Sequence, residues 1–120
     1  MERLIALDVE TTGLRISEGH RIIEVGAVEI LDREITNTEF QKYVQPNRKV
    51  GESVNIHGIT DQFLINKPQF DKISDELLSF IKGATLVIHN APFDLGFLNN
   101  ELKIIGIKET IENICTVIDT

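Results

Sequence analysis

A chain of 120 residues, 42 % apolar and 26 % charged, has the size and make-up of one soluble domain with a single core. Its formal net charge of −7 argues against gripping long duplex nucleic acid through phosphate neutralisation, although a site that holds one chain end through cations can itself be acidic. The lone Cys115 excludes an internal disulfide and a cysteine-rich zinc site, and no apolar run approaches the ~18 residues of a membrane span.

Met1-Glu2-Arg3 leads straight into a strand-like segment and carries no leader pattern, so a cytoplasmic protein is expected. In residues 4–10, Ile5, Leu7 and Val9 point one way and Leu4, Ala6, Asp8 and Glu10 the other. Two largely apolar faces predict a central strand covered on both sides, ended by Thr11-Thr12-Gly13. Residues 21–31 read as a second strand and 34–45 as a third that stops at Pro46, with Asp32-Arg33 as the turn. Connections this short predict an antiparallel meander.

Residues 47–58, punctuated by Asn47, Gly51, Asn55 and Gly58, predict a loop, and a short helix is expected over 60–65. Phe70, Ile73, Leu77, Phe80 and Ile81 recur at helical spacing between Pro68 and Gly83 and predict a helix over 69–82. Thr85–Ile88 is a short apolar strand. Asn90 is expected to cap a helix running to about Ile105, and a last strand is expected near 113–118. The order predicts an α/β fold: a mixed sheet of three antiparallel strands and then two more, flanked by helices.

Asp8 and Glu10, two apart on a strand, leave the same face about 6–7 Å from each other. Such a pair reads either as the solvated end of a strand or as a site relieved by a hard cation, since carboxylates are what Mg²⁺ and Mn²⁺ prefer. Asp94 opens a helical stripe continued by Leu98, Leu102 and Ile105, and is either an exposed complement to the helix dipole or a functional acid. His57 sits in the predicted loop, where a surface role is the simpler reading. His20, after Glu18-Gly19, reads as a solvated loop residue.

The wider run Leu7-Asp8-Val9-Glu10-Thr11-Thr12-Gly13 resembles the first motif of the DEDD exonucleases, in their DEDDh branch. The similarity continues through Arg21-Ile-Ile-Glu-Val-Gly-Ala-Val28, Tyr43-Val-Gln-Pro46, Ile56-His-Gly-Ile-Thr60, Phe63–Phe70 and His89-Asn-Ala-Pro-Phe-Asp-Leu-Gly-Phe-Leu98. These blocks cover nearly the whole chain and are most like the proofreading subunits of bacterial replicative polymerases. The resemblance implies an RNase H-like fold and hydrolysis of DNA from the 3′ end with release of 5′-mononucleotides. It implies two divalent cations, Mg²⁺ or Mn²⁺, with Asp8 and Glu10 as metal ligands and Asp94 as the acid of the second motif. It further places Asp8, Glu10, Thr11, Glu52, Ile56, His57 and Phe93 around the terminal nucleotide, and assigns Glu24 a structural role.

The family's third motif, H-x-A-x-x-D, supplies a general-base histidine and a further aspartate. His89–Asp94 fits that pattern but directly follows an apolar strand, the context of the second motif. Asp119-Thr120 resembles the end of the last strand, so residues 1–120 are expected to form an exonuclease domain shortened before the third motif, weak or inactive alone. The helices that follow in the family would cover a sheet face, and without them self-association through that face is expected. Implied partners are a single-stranded or frayed 3′ DNA end and a polymerase catalytic subunit, with no membrane. A non-catalytic protein-binding module and an RNA 3′ exonuclease stay open as alternatives.

Overall fold

The computed structural model describes residues 2–120. Its frame is one sheet of five strands in the order β3-β2-β1-β4-β5. β1 (Arg3–Thr11), β2 (Ile22–Leu31) and β3 (Glu34–Tyr43) form the antiparallel meander. The β2–β3 turn holds Asp32 and Arg33 at φ 49° and 72°, the left-handed pair whose twist suits a two-residue hairpin. β4 (Thr85–Ile88) runs parallel to β1, and β5 (Thr116–Asp119) parallel to β4. The expected mixed sheet is what the chain builds.

The elements between β3 and β4 are shorter and more broken than the periodicity suggests. Residues 47–58 are not all loop: a 3-10 turn at Gly51–Ser53 leads into α1 (Val54–His57). Val50 is buried there beside Ile23, Ile59 and Leu64, a small cluster apart from the main core, and that anchor orders the segment. α2 (Asp61–Leu64) is capped by the Thr60 hydroxyl, which accepts from the Phe63 amide. The helix expected over 69–82 divides into a 3-10 turn (Phe70–Lys72) and α3 (Ser74–Ile81), with Ile73 at φ −112° between them. The apolar spacing survives the break because Phe70, Ile73 and Leu77 all still reach the core.

α4 (Ala91–Ile104) follows β4 after two residues. Asn90 does not cap it: its backbone is left-handed (φ 58°) and its side chain makes no cap bond. The first amide, Ala91, donates instead to Asp119 Oδ1 at the end of β5 (2.9 Å). The strand expected near 113–118 is preceded by a turn of helix, α5 (Ile111–Ile114), so β5 starts later.

Ile5, Leu7 and Val9 face α3 and α4, where Leu77, Ile81, Phe97, Leu98 and Leu102 complete the core. The other face of β1 departs from expectation. Leu4 and Ala6 are only half-buried and Asp8 is exposed, as Val28 and Val87 beside them are half-buried. Among the described residues the helices cover one face of the sheet. Apolar alternation reports that a face is apolar, not what lies against it.

Candidate active site

The site is set by where β4 ends. β1 and β4 pair only over Leu4–Ala6 and Thr85–Val87, so beyond Ala6 the edge of β1 is open on that side. α4 starts there, and its first turn brings Asp94 against the exposed edge, where Asp94 Oδ2 accepts the Val9 amide (3.0 Å). A buried backbone N–H needs such a partner. The bond therefore places a third carboxylate under Val9, between the outward-pointing Asp8 and Glu10.

The three acids sense one another. Asp94, 3 % exposed, has its pKa pushed up to about 6, chiefly by burial; the Val9 amide pulls it down while Asp8 and then Glu10 push it up. The Glu10 carboxyl is also raised, first by burial and then by Asp8, with His57 offsetting and Glu24 adding to the rise. Glu24 lies directly opposite Glu10 in the β1–β2 register and accepts from Gln41 Nε2 (2.7 Å), consistent with a structural role. Opposite Asp8 stands Gly26, where a Cβ would meet nothing within 4 Å, so Asp8 has open space beside it.

Beside Glu10 lies an open cleft of about 600 Å³. Glu10, Thr11, Glu52, Ile56, His57 and Phe93 all line it, so residues scattered over more than eighty positions converge. Asp94 lies beneath this surface. Asp8 turns instead into a second depression of about 640 Å³ on the uncovered sheet face, shared with His89. Asp8 and Glu10 thus stand on the ridge between two hollows.

The histidines depart from two expectations. His57 is held within its own loop: Nδ1 accepts the Ile59 amide (3.0 Å), leaving Nε2 as the protonated nitrogen that donates to Ser53 Oγ (2.9 Å). It lines the cleft with both ring nitrogens engaged. His20 is not a solvated loop residue. Its side chain is 18 % exposed, its Nδ1 bonds Thr12 Oγ1 (2.9 Å), and its ring lies under Gly13.

That packing yields a prediction. A Cβ at Gly13 would sit 2.4 Å from ring atoms of His20, while Thr12 holds the ring in place. Gly13→Ala is expected to destabilise the fold by about 1–3 kcal/mol, as overpacking does. Urea denaturation of Gly13→Ala, His20→Ala and the double variant checks it: the double should lose less than the sum of the singles.

Leu14, which the sequence did not single out, is 79 % exposed at the cleft and gives it an apolar lip together with Ile56, 84 % exposed. A leucine directly after a D-x-E-T-T-G run, where the strand has already ended, was the available signal.

The donors suit a hard divalent cation: carboxylate oxygens only, with two of three held above their ordinary pKa partly by mutual repulsion. Among the described residues, no three His, Cys, Asp or Glu side chains are arranged to hold a metal by themselves. Two carboxylates still suffice for Mg²⁺, which keeps several waters and takes other ligands from a bound phosphate.

A family model, RNase T, described as an exonuclease, matches residues 5–120. The chain is 48 % identical to the DNA polymerase III subunit epsilon of Buchnera aphidicola (subsp. Acyrthosiphon pisum), over 99 % of this chain and 52 % of that protein. It is 47 % identical to the Escherichia coli protein of the same name, over 86 % of this chain and 44 % of that one. The chain therefore spans about half the length of the curated relatives it matches. The metal-free E. coli ExoI–ssDNA complex superposes with a TM-score of 0.82 at 16 % identity, covering 99 % of this chain and 28 % of that one, a likeness of fold.

Proposed function

The chain belongs to the RNase T exonuclease family, and on that premise we propose that it is the catalytic domain of a proofreading subunit: a metal-dependent 3′→5′ DNA exonuclease that releases 5′-mononucleotides and works beside a polymerase catalytic subunit. The observation that carries this reading is the gathering of Glu10, Thr11, Glu52, Ile56, His57 and Phe93 around one cleft, with the buried Asp94 bonded to β1 at Val9, next to Glu10 in the strand. Asp8 and Glu10 would hold the divalent cations, Mg²⁺ or Mn²⁺. Bound there, such ions polarise the phosphoryl group and lower the pKa of water.

The protein's own side chains have distinct tasks. Leu14, Ile56 and Phe93 offer apolar surface to the last base and sugar, a contact indifferent to base identity. Glu52, exposed on the cleft lip, would accept from a terminal sugar hydroxyl. The Thr11 hydroxyl donates to the Gly13 carbonyl (2.6 Å) and stiffens the turn after Glu10. Asp94 holds β1 at Val9 and with it the direction of both ligands. A cleft of this size suits one or two nucleotides of a single strand rather than a duplex.

Calorimetric titration of dTMP in the presence of Mn²⁺ tests the reading. Binding is expected to be Mn²⁺-dependent and to weaken at least about tenfold in Asp8→Ala or Glu10→Ala, each removing one of the two ligands. Equal affinity in both variants would overturn it. Release of nucleotides from single-stranded DNA by the 120 residues alone is expected to be slight. A general base contributes roughly 10²–10⁴-fold, and His57, which lines the cleft, already has both ring nitrogens engaged. Robust release that Asp8→Ala abolishes would contradict this second expectation.

A further inference from the structure

We propose that Arg48 and Lys49 form a contact site for the phosphodiester backbone of a single strand, upstream of the terminal nucleotide held in the cleft. The proposal rests on the exonuclease reading above. It starts from a mismatch of charge. The chain carries 19 acidic against 12 basic Lys and Arg side chains, and the cleft itself is lined by Glu10 and Glu52. A polyanion entering such a cleft meets repulsion unless cations stand along its path.

Among the described residues, Arg48 and Lys49 are the only Lys or Arg side chains that line the cleft, and both are exposed. Neither belongs to an ion pair: among the described residues the Lys and Arg pairs formed are Arg3–Glu29, Arg21–Glu101 and Lys42–Glu76. Arg48 Nη1 donates to the Glu18 carbonyl (3.2 Å), which ties it to the turn before β2. That single bond leaves most of the guanidinium donors free for a phosphate.

The backbone under these two side chains is held firmly for a surface loop. The Asn47 amide donates to Gln45 Oε1 (2.9 Å), and Asn47 Nδ2 to Gln69 Oε1 (2.9 Å). On the far side the Val50 amide donates to Asp61 Oδ1 (2.8 Å), and the Val50 side chain is buried. Residues bonded on both flanks thus present two unpaired cations towards an acidic cleft. A pair serving only solubility would need neither the anchored loop nor the position at the cleft mouth, in a chain already at −7. Their contact is with the backbone, so it is indifferent to sequence.

The test compares a dT oligomer with dTMP, which has no upstream phosphodiester. Affinity of the whole chain for fluorescein-labelled oligo-dT is measured in Mn²⁺ across a range of salt concentrations. For Arg48→Ala/Lys49→Ala, the slope of log K against log[salt] is expected to flatten by about 0.7 per cation removed, so by about 1.4. Arg48→Lys/Lys49→Arg should keep the wild-type slope, and dTMP affinity should be the same in all three proteins. An unchanged oligomer slope in the alanine pair, with dTMP still binding, overturns this site and leaves the exonuclease reading standing. Failure of the wild-type chain to bind dTMP and oligomer alike overturns both. Both side chains are exposed, so the variants should fold, and circular dichroism verifies that they do.

Discussion

Glu101→Ala is expected to destabilise the fold by about 3–5 kcal/mol, the cost of breaking a buried ion pair from one side. Glu101 is 1 % exposed and accepts three bonds: Arg21 Nε at 2.8 Å, Arg21 Nη2 at 2.7 Å and the Ile22 amide at 3.2 Å. Alanine removes all three and leaves a guanidinium, its side chain only 21 % exposed, without its partner. Glu101→Gln keeps an oxygen for the Ile22 amide and should cost less. Lys42–Glu76, at 3.8 Å with both side chains open to water, is the internal control. Glu76→Ala is expected to change stability by no more than about 0.5 kcal/mol. Urea denaturation of the three variants decides the matter, and equal losses for Glu101→Ala and Glu76→Ala would sink the claim. The consequence reaches the site, because this fork fastens the C-terminal end of α4 to the start of β2. The same helix carries Asp94 at its other end.

Glu101 also shows what the sequence conceals. In a linear reading it is one more acid on a helix, and nothing marks it as lying inside the fold against Arg21, eighty residues earlier. The meander, β4 and α4 were legible because each rests on local alternation or 3.6-residue spacing over an unbroken run. The division at Ile73 was not, since a helix and a 3-10 turn can present the same apolar residues to a core. The ordering of residues 47–58 came from Val50 burying itself against Ile23, Ile59 and Leu64, a contact between segments distant in sequence. At the site, Asp8, Glu10 and Asp94 were readable through motif resemblance. His20 was misread because its partner, Thr12, and the glycine above it become neighbours only when β1 and β2 pair. The uncovered face of β1 was misread for a related reason: an apolar face and a covered face have the same alphabet.

Asp94→Asn is expected to make the chain more stable at neutral pH when no divalent cation is present, while removing the acid from the site. The folded protein holds this carboxyl at a pKa of about 6, against an ordinary value of 3.8. Below pH 3.8 the group is protonated whether folded or unfolded, and its full contribution to stability is present. As the pH rises towards 6, the unfolded chain has released its proton and the folded chain has not, so stability falls with pH. Across that window the loss is on the order of 3 kcal/mol, at about 1.4 kcal/mol per pKa unit. Asparagine can still accept the Val9 amide but carries no charge, so it avoids that loss. The difference in stability between Asp94→Asn and wild type should therefore be near zero well below pH 3.8 and grow to a plateau above pH 6. Taking the difference cancels carboxylates of opposite sense, such as Glu29, whose pKa is lowered mainly by its bond to Arg3. Chemical denaturation at several pH values in EDTA measures the curve, and a flat difference would disprove the account. Adding Mn²⁺ should shrink the plateau, because a cation beside Asp8 and Glu10 removes part of the repulsion that raises Asp94, a relief the asparagine variant has no use for. A carboxylate kept at a cost to the apo fold, and relieved by a cation, is how the proposed metal site would show itself in stability.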